Sequence, residues 1–179
     1  MIRTSLFAAA ALALLSGTAL ARNVSNISNT AAGVGNVAVQ DVTTLQKGKG
    51  LFAGPNVSSV SNTAAGIGNV ADQSALVMQK SKGPFSGPNT ASVSNTAAGI
   101  GNHAGQAATV MQRSGGLFSG GSAATVGNTA AGIGNHAHQS ALVMQKSKGL
   151  FAGPNAANVQ NLSAGIGNFA GQGALVKQR

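Results

Sequence analysis

Small or apolar residues alternate with polar ones along residues 57–65 and again along 69–80, and Gly66-Ile67-Gly68 separates the two runs. Period-two alternation is the mark of strands with one buried face, and a Gly-x-Gly between two such runs marks a tight turn. Residues 81–88 are rich in Gly, Pro and Ser, so the unit reads strand, turn, strand, loop. The same unit recurs. Asn29, Asn62, Asn95, Asn128 and Asn161 stand 33 residues apart, each opening a near-copy of Asn-Thr-Ala-Ala-Gly-Ile-Gly-Asn-x-Ala-x-Gln. A fixed period of this length means one supersecondary unit stacked on copies of itself. The expected fold is all-β, a stacked strand-turn-strand β-solenoid of five repeats over residues 22–179, able to extend as a cross-β, amyloid-like fibre subunit.

Folding the chain back at Ile67 sets Ala64 against Ala71, Asn62 against Gln73, Val60 against Ala75, Ser58 against Val77 and Asn56 against Gln79. Amide pairs therefore alternate with small apolar pairs, which lets two backbones approach while buried amides keep partners. Stacking turns each inward position into a column. Asn36, Asn69, Asn102, Asn135 and Asn168 form one such column. Gln40, Gln73, Gln106, Gln139 and Gln172 form another, facing the Asn29 to Asn161 column, and Gln46, Gln79, Gln112, Gln145 and Gln178 a third. In register, each amide donates to one neighbour and accepts from the other, so a slip of register leaves buried groups unpaired. Replacing Gln73, Gln106 and Gln139 by Leu is therefore expected to disturb stacking. The turn glycines Gly33 and Gly35, Gly66 and Gly68, Gly99 and Gly101, Gly132 and Gly134, and Gly165 and Gly167 imply backbone conformations that side chains disfavour.

Outward positions vary. One column runs Val37, Val70, His103, His136, Phe169, and another Val39, Asp72, Gly105, His138, Gly171. His103, His136 and His138 fall on one outer patch, a conceivable Zn²⁺ or Cu²⁺ site, although variable exposed histidines are the plainer interpretation. Leu76 and Met78, repeated at Leu142 and Met144, are expected to be covered by the loop residues Leu51-Phe52, Leu117-Phe118 and Leu150-Phe151. Lys80 and Lys82, with Lys146 and Lys148, fall at a strand end, where stacked like charges must stay hydrated on an exposed edge.

Composition narrows the picture. Abundant Gly and Ala, six Phe and no Trp or Tyr leave too little side-chain volume for a wide core but suit a thin one. Residues 1–21 have a basic start, a short apolar run and an Ala19-Leu20-Ala21 end, and are expected to be a cleaved secretory signal peptide. Its removal takes the formal charge from +9 to +8, a balance suited to polyanions such as extracellular DNA or acidic polysaccharide. Specific nucleic-acid readout is not implied, because neither a recognition helix nor an aromatic stacking platform accompanies the charge. No cysteine and only two carboxylates, Asp41 and Asp72 in different columns, exclude thiol and paired-carboxylate catalysis. The Gly-x-Gly lacks a following helix and Lys-Ser/Thr, so it is no phosphate loop. The expectation is a protein that is not an enzyme and carries no cofactor.

Gly66-Ile67-Gly68-Asn69-Val70-Ala71, present in equivalent form in all five units, resembles the core of bacterial curlin subunits, the building blocks of curli functional amyloid. In the curlin pattern Ser-x5-Gln-x-Gly-x2-Asn-x-Ala-x3-Gln, Ser58 fits the opening Ser, Ala64 stands at the first Gln, and the later Gln falls at Gln73. The resemblance covers essentially all of residues 22–179, with a longer loop. It implies export through an outer-membrane secretion pore, nucleated growth into fibres on the bacterial surface as major subunit or nucleator, and a role in adhesion and biofilm matrix. Two other functions are compatible with the residues: a monomeric β-solenoid adhesin or ice-binding protein using an outer Thr30, Thr63, Thr96, Thr129 column, and a disordered basic chain that binds polyanions.

Overall fold

A computed structural model of the chain describes residues 23–179 except Asn36, Asn69, Asn102, Asn135 and Asn168. The expected signal peptide and the Asn36 to Asn168 column lie outside the described residues. Within them the chain is all-β, a solenoid of about five turns spaced roughly 33 residues apart. Strands β1 (Asn23–Ala32), β4 (Asn56–Ala65), β7 (Asn89–Ala98), β10 (Ser122–Ala131) and β13 (Asn155–Ala164) make one sheet in that order. Strands β2 (Val37–Lys49), β5 (Val70–Lys82), β8 (His103–Gly115), β11 (His136–Lys148) and β14 (Phe169–Gln178) make a second. Pairing is parallel and between repeats: Asn62 lies beside Asn29 and Asn95, and Gln73 beside Gln40 and Gln106. Each unit's two long strands face each other across the core rather than sharing a hydrogen-bonded ladder.

The core is thin because its residues are small. Val60, Val77, Val93, Val110, Val126 and Val143 fill it with Ala75, Ala91, Ala108 and Ala141. Strict alternation aims these residues inward, and β-branched valines suit the pleated interior. The turns stack as well, with Gly66 N–H donating to Ala98 O at 3.0 Å and Gly68 N–H to Ile100 O at 2.8 Å. Gly66 has φ 121° and Gly68 φ 75°, a region that L side chains rarely occupy. An added Cβ at Gly68 would meet nothing within 4 Å, so the constraint there is conformational rather than spatial. Gly68→Ala is therefore expected to cost about 1 kcal/mol in chemical denaturation, the cost of the left-handed backbone alone.

The connecting segment is not a plain loop. It carries two-residue strands β3 (Phe52–Ala53), β6 (Phe85–Ser86), β9 (Phe118–Ser119) and β12 (Phe151–Ala152), which pair in a third parallel sheet. Two residues are too few for periodicity to announce a strand. Pleating sends Ala53, Ser86 and Ser119 inward and the phenylalanines outward. The expectation that these rings cover Leu76 and Met78 is corrected: Phe52, Phe85, Phe118 and Phe151 stack on one another, with centroids 5.2, 5.3 and 4.9 Å apart, on the outer face of the third sheet. Beside them Gly83 and Gly116 are fixed by close approach, since a Cβ at either would run into the carbonyl oxygen of Gly50 or Gly83 in the preceding turn.

Candidate functional site

Two amide columns tie the layers together, with opposite donor directions. Gln79 Nε2 donates to Gln46 Oε1 at 2.8 Å, Gln112 to Gln79 at 2.8 Å, Gln145 to Gln112 at 2.8 Å and Gln178 to Gln145 at 2.7 Å. The same nitrogens reach across the core, from Gln46 to Val57 O, Gln79 to Thr90 O, Gln112 to Ala123 O and Gln145 to Ala156 O. Asparagines run the other way: Asn62 Nδ2 donates to Asn95 Oδ1 at 3.2 Å, Asn95 to Asn128 at 3.1 Å and Asn128 to Asn161 at 3.2 Å. They also cross to the backbone carbonyl just before each facing glutamine, as from Asn29 to Val39 O at 3.0 Å, Asn62 to Asp72 O at 2.7 Å, Asn128 to His138 O at 2.7 Å and Asn161 to Gly171 O at 2.7 Å.

The Gln40 column departs from expectation. Gln139 Nε2 donates to Gln106 Oε1 at 3.2 Å, but Gln40 and Gln73 are buried with neither amide atom hydrogen-bonded. Their opposite asparagines have taken the carbonyls within reach, so this column fills space more than it fixes register. The structure adds bonds that the sequence pattern did not single out. Asn56 Nδ2 donates to Asn89 Oδ1 at 3.0 Å, and the hydroxyls of Ser86 and Ser114, and of Ser119 and Ser147, meet at 3.0 Å, joining the third sheet to the second. For the hydroxyl pairs the one trace in the sequence was a small residue at constant phase inside the Gly-rich segment, Ala53, Ser86, Ser119 and Ala152, of which two are serine.

The two sheets are offset by half a layer. Strand β2 packs on β1 and β4, β5 on β4 and β7, β8 on β7 and β10, β11 on β10 and β13, whereas β14 packs on β13 alone. The ends of the stack therefore differ. At one end β1 protrudes and β2 stays covered, with Val42 only 3% exposed. At the other β14 protrudes with its inner face open: Val176 is 43% exposed, while its equivalent Val143 is 0%. These two steps are complementary in shape, because each lacks the strand that the other presents. Gln178 Oε1 and Asn161 Nδ2 carry at this end the acceptor and donor that a further layer's Gln46 and Asn29 positions would meet.

At the loop end of the second sheet, Lys47, Lys80, Arg113, Lys146 and Arg179 line up in register. Lys146 is half-buried, and its ammonium loses its proton below the ordinary lysine value of 10.5, first because Lys148 repels it, then through partial desolvation and the charges of Arg113, Arg179 and Lys177. A lowered folded-state pKa means that the unfolded chain binds more protons between the two values, so stability is expected to rise as pH climbs through that window toward 10.5. Denaturation midpoints across that range check it, and Lys146→Gln should flatten the rise.

The histidine patch holds His103 with ring centroids 6.2 Å from His136 and 6.4 Å from His138, and His138 tilts against Phe169 at 5.6 Å. Among the described residues no group of three or more His, Cys, Asp or Glu side chains is placed to hold a metal ion. The class that the geometry defines is a parallel β-solenoid with unlike, complementary ends. Comparison with protein-family models, curated proteins and solved structures returned no match.

Proposed function

We propose that this chain is the structural subunit of an extracellular, curli-like functional amyloid fibre, acting in cell adhesion and biofilm matrix through nucleated cross-β self-assembly. One observation carries the reading: the inner face of β14 is open although identical positions in the preceding layers are closed, and β1 offers the strand that would close it. Docking β1 and β2 of a second copy on β13 and β14 continues both sheets, both amide columns and the valine core. Parallel in-register stacking with amide columns is the arrangement that gives cross-β fibres their stability. The curlin-like Gly-x-Gly-Asn-x-Ala units and the expected signal peptide agree with export to the bacterial surface, with a secretion pore and a nucleating subunit as partners.

Incubating the purified chain tests this. The expected result is a lag that preformed fibres abolish, thioflavin binding, and a fibre reflection at about 4.7–4.8 Å. A chain that stays monomeric and folded through the same incubation would instead support a solitary solenoid adhesin.

A further inference from the structure

Nine of the eleven basic residues stand on one edge of the molecule: Lys47, Lys49, Lys80, Lys82, Arg113, Lys146, Lys148, Lys177 and Arg179. Parallel register sets Lys47 beside Lys80, Lys80 beside Arg113 and Arg113 beside Lys146, while Lys49 and Lys82 begin a second file that opens at Gly115 before Lys148. Successive cations therefore repeat at the strand spacing, about 4.8 Å, in a straight line. The only carboxylate side chains, Asp41 and Asp72, lie toward the turn end of the same strands, about 20 Å or more along the strand from the Lys47 to Arg179 file. No carboxylate side chain lies on the strip, and its charges repel one another strongly enough to lower the proton affinity of Lys146. Between the two files runs a shallow groove of about 270 Å³, lined by Lys80, Lys82, Arg113, Gly115, Lys146 and Lys148.

We propose that this edge is a docking track for an acidic polysaccharide, an extended polyuronate laid parallel to the solenoid axis. A polyuronate repeats its carboxylates at every sugar ring, a step of the same order as the strand separation, so successive charges meet successive rows. Duplex DNA fits less well, because its phosphates wind away from a straight track. Single-stranded nucleic acid would call for aromatic platforms, and the phenylalanine column lies on a different sheet. The track is complete within one chain and does not depend on fibre growth, which would only lengthen it.

The test is binding of polygalacturonate to the purified chain across a salt series, beside duplex DNA and inorganic polyphosphate at equal charge concentration. Tightest binding of polygalacturonate is expected, with log K falling linearly with log salt and the Lys146 pKa moving up on binding. The Lys80→Gln, Arg113→Gln, Lys146→Gln variant should reduce the salt slope by about two, at ~0.7 per cation removed. A second variant adds Ser59→Lys, Ser92→Lys and Thr125→Lys, on an outward column of the first sheet, and so restores net charge elsewhere. It should stay as weak as the first. Recovery of affinity by this relocated variant would show that net charge, not the track, does the binding and would overturn the proposal; so would duplex DNA or polyphosphate binding as tightly as polygalacturonate.

Discussion

Proline at Ala174 and Val176 together is expected to stop growth from the β14 end of a fibre while leaving the isolated chain folded. In a parallel ladder, a residue sends its N–H and C=O to the same neighbour, and the next residue sends them to the other side. Arg179 N–H donates to Gln145 O at 3.0 Å and Arg179 O accepts from Ser147 N–H at 2.9 Å, so odd-numbered residues of β14 bond to β11. Ala174 and Val176 therefore direct their backbone groups at the open edge. Proline there removes two donors that only an incoming β2 would use, and proline is tolerated on an edge strand. Elongation at that end should fall at least tenfold, on the order of the loss of two hydrogen bonds at ~1 kcal/mol each plus steric blockade. Far-UV circular dichroism of the monomer should not change. Because the opposite end of the variant is intact, small amounts should also cap growing wild-type fibres. Undiminished elongation would mean that addition does not use this edge.

Gln112→Leu is expected to be far more damaging than Gln106→Leu, although both replace a buried glutamine of the same strand. Gln112 donates to Gln79 Oε1 and Ala123 O and accepts from Gln145 Nε2. Its loss leaves buried groups on both neighbouring layers and across the core without partners, a cost of about 3 kcal/mol or more. Gln106 accepts one bond from Gln139, and its own Nε2 is unpaired, so leucine there should cost about 1 kcal/mol or less. Denaturation midpoints of the two monomeric variants decide the matter, and the same order should appear in assembly rates. Equal costs would mean that the Gln46 to Gln178 column does not hold the register.

Much of this architecture is legible in the residues because repetition removes ambiguity. Val60, Asn62 and Ala64 recur at one phase, and the structure buries all of them. The glycines on either side of Ile67 likewise announce their positive φ. Other features depend on distances that a one-dimensional pattern lacks. Folding the repeat back at Ile67 treats its two strands as level, and nothing in the alternation betrays the half-layer offset that makes the ends unlike. The Gln40 and Gln46 columns are identical in residue type, yet they differ in which carbonyls the facing strand leaves available. Phe85-Ser86 is too short to show a period, so its strand, and the ring column it builds, emerges only from stacking. The cationic file was legible as Lys80 and Lys82 with Lys146 and Lys148; Arg113, one period after Lys80, interrupts the lysine pattern in residue type but not in phase, and the strand register sets it between Lys80 and Lys146.

Mass per unit length of the assembled fibre, measured by dark-field electron microscopy, tests the central claim most directly. If subunits continue the solenoid end to end, each chain occupies five strand spacings, about 24 Å of fibre per protofilament. A value of one chain per single spacing, about 4.8 Å, would mean that the repeats unfold into a flat in-register stack and would contradict the account.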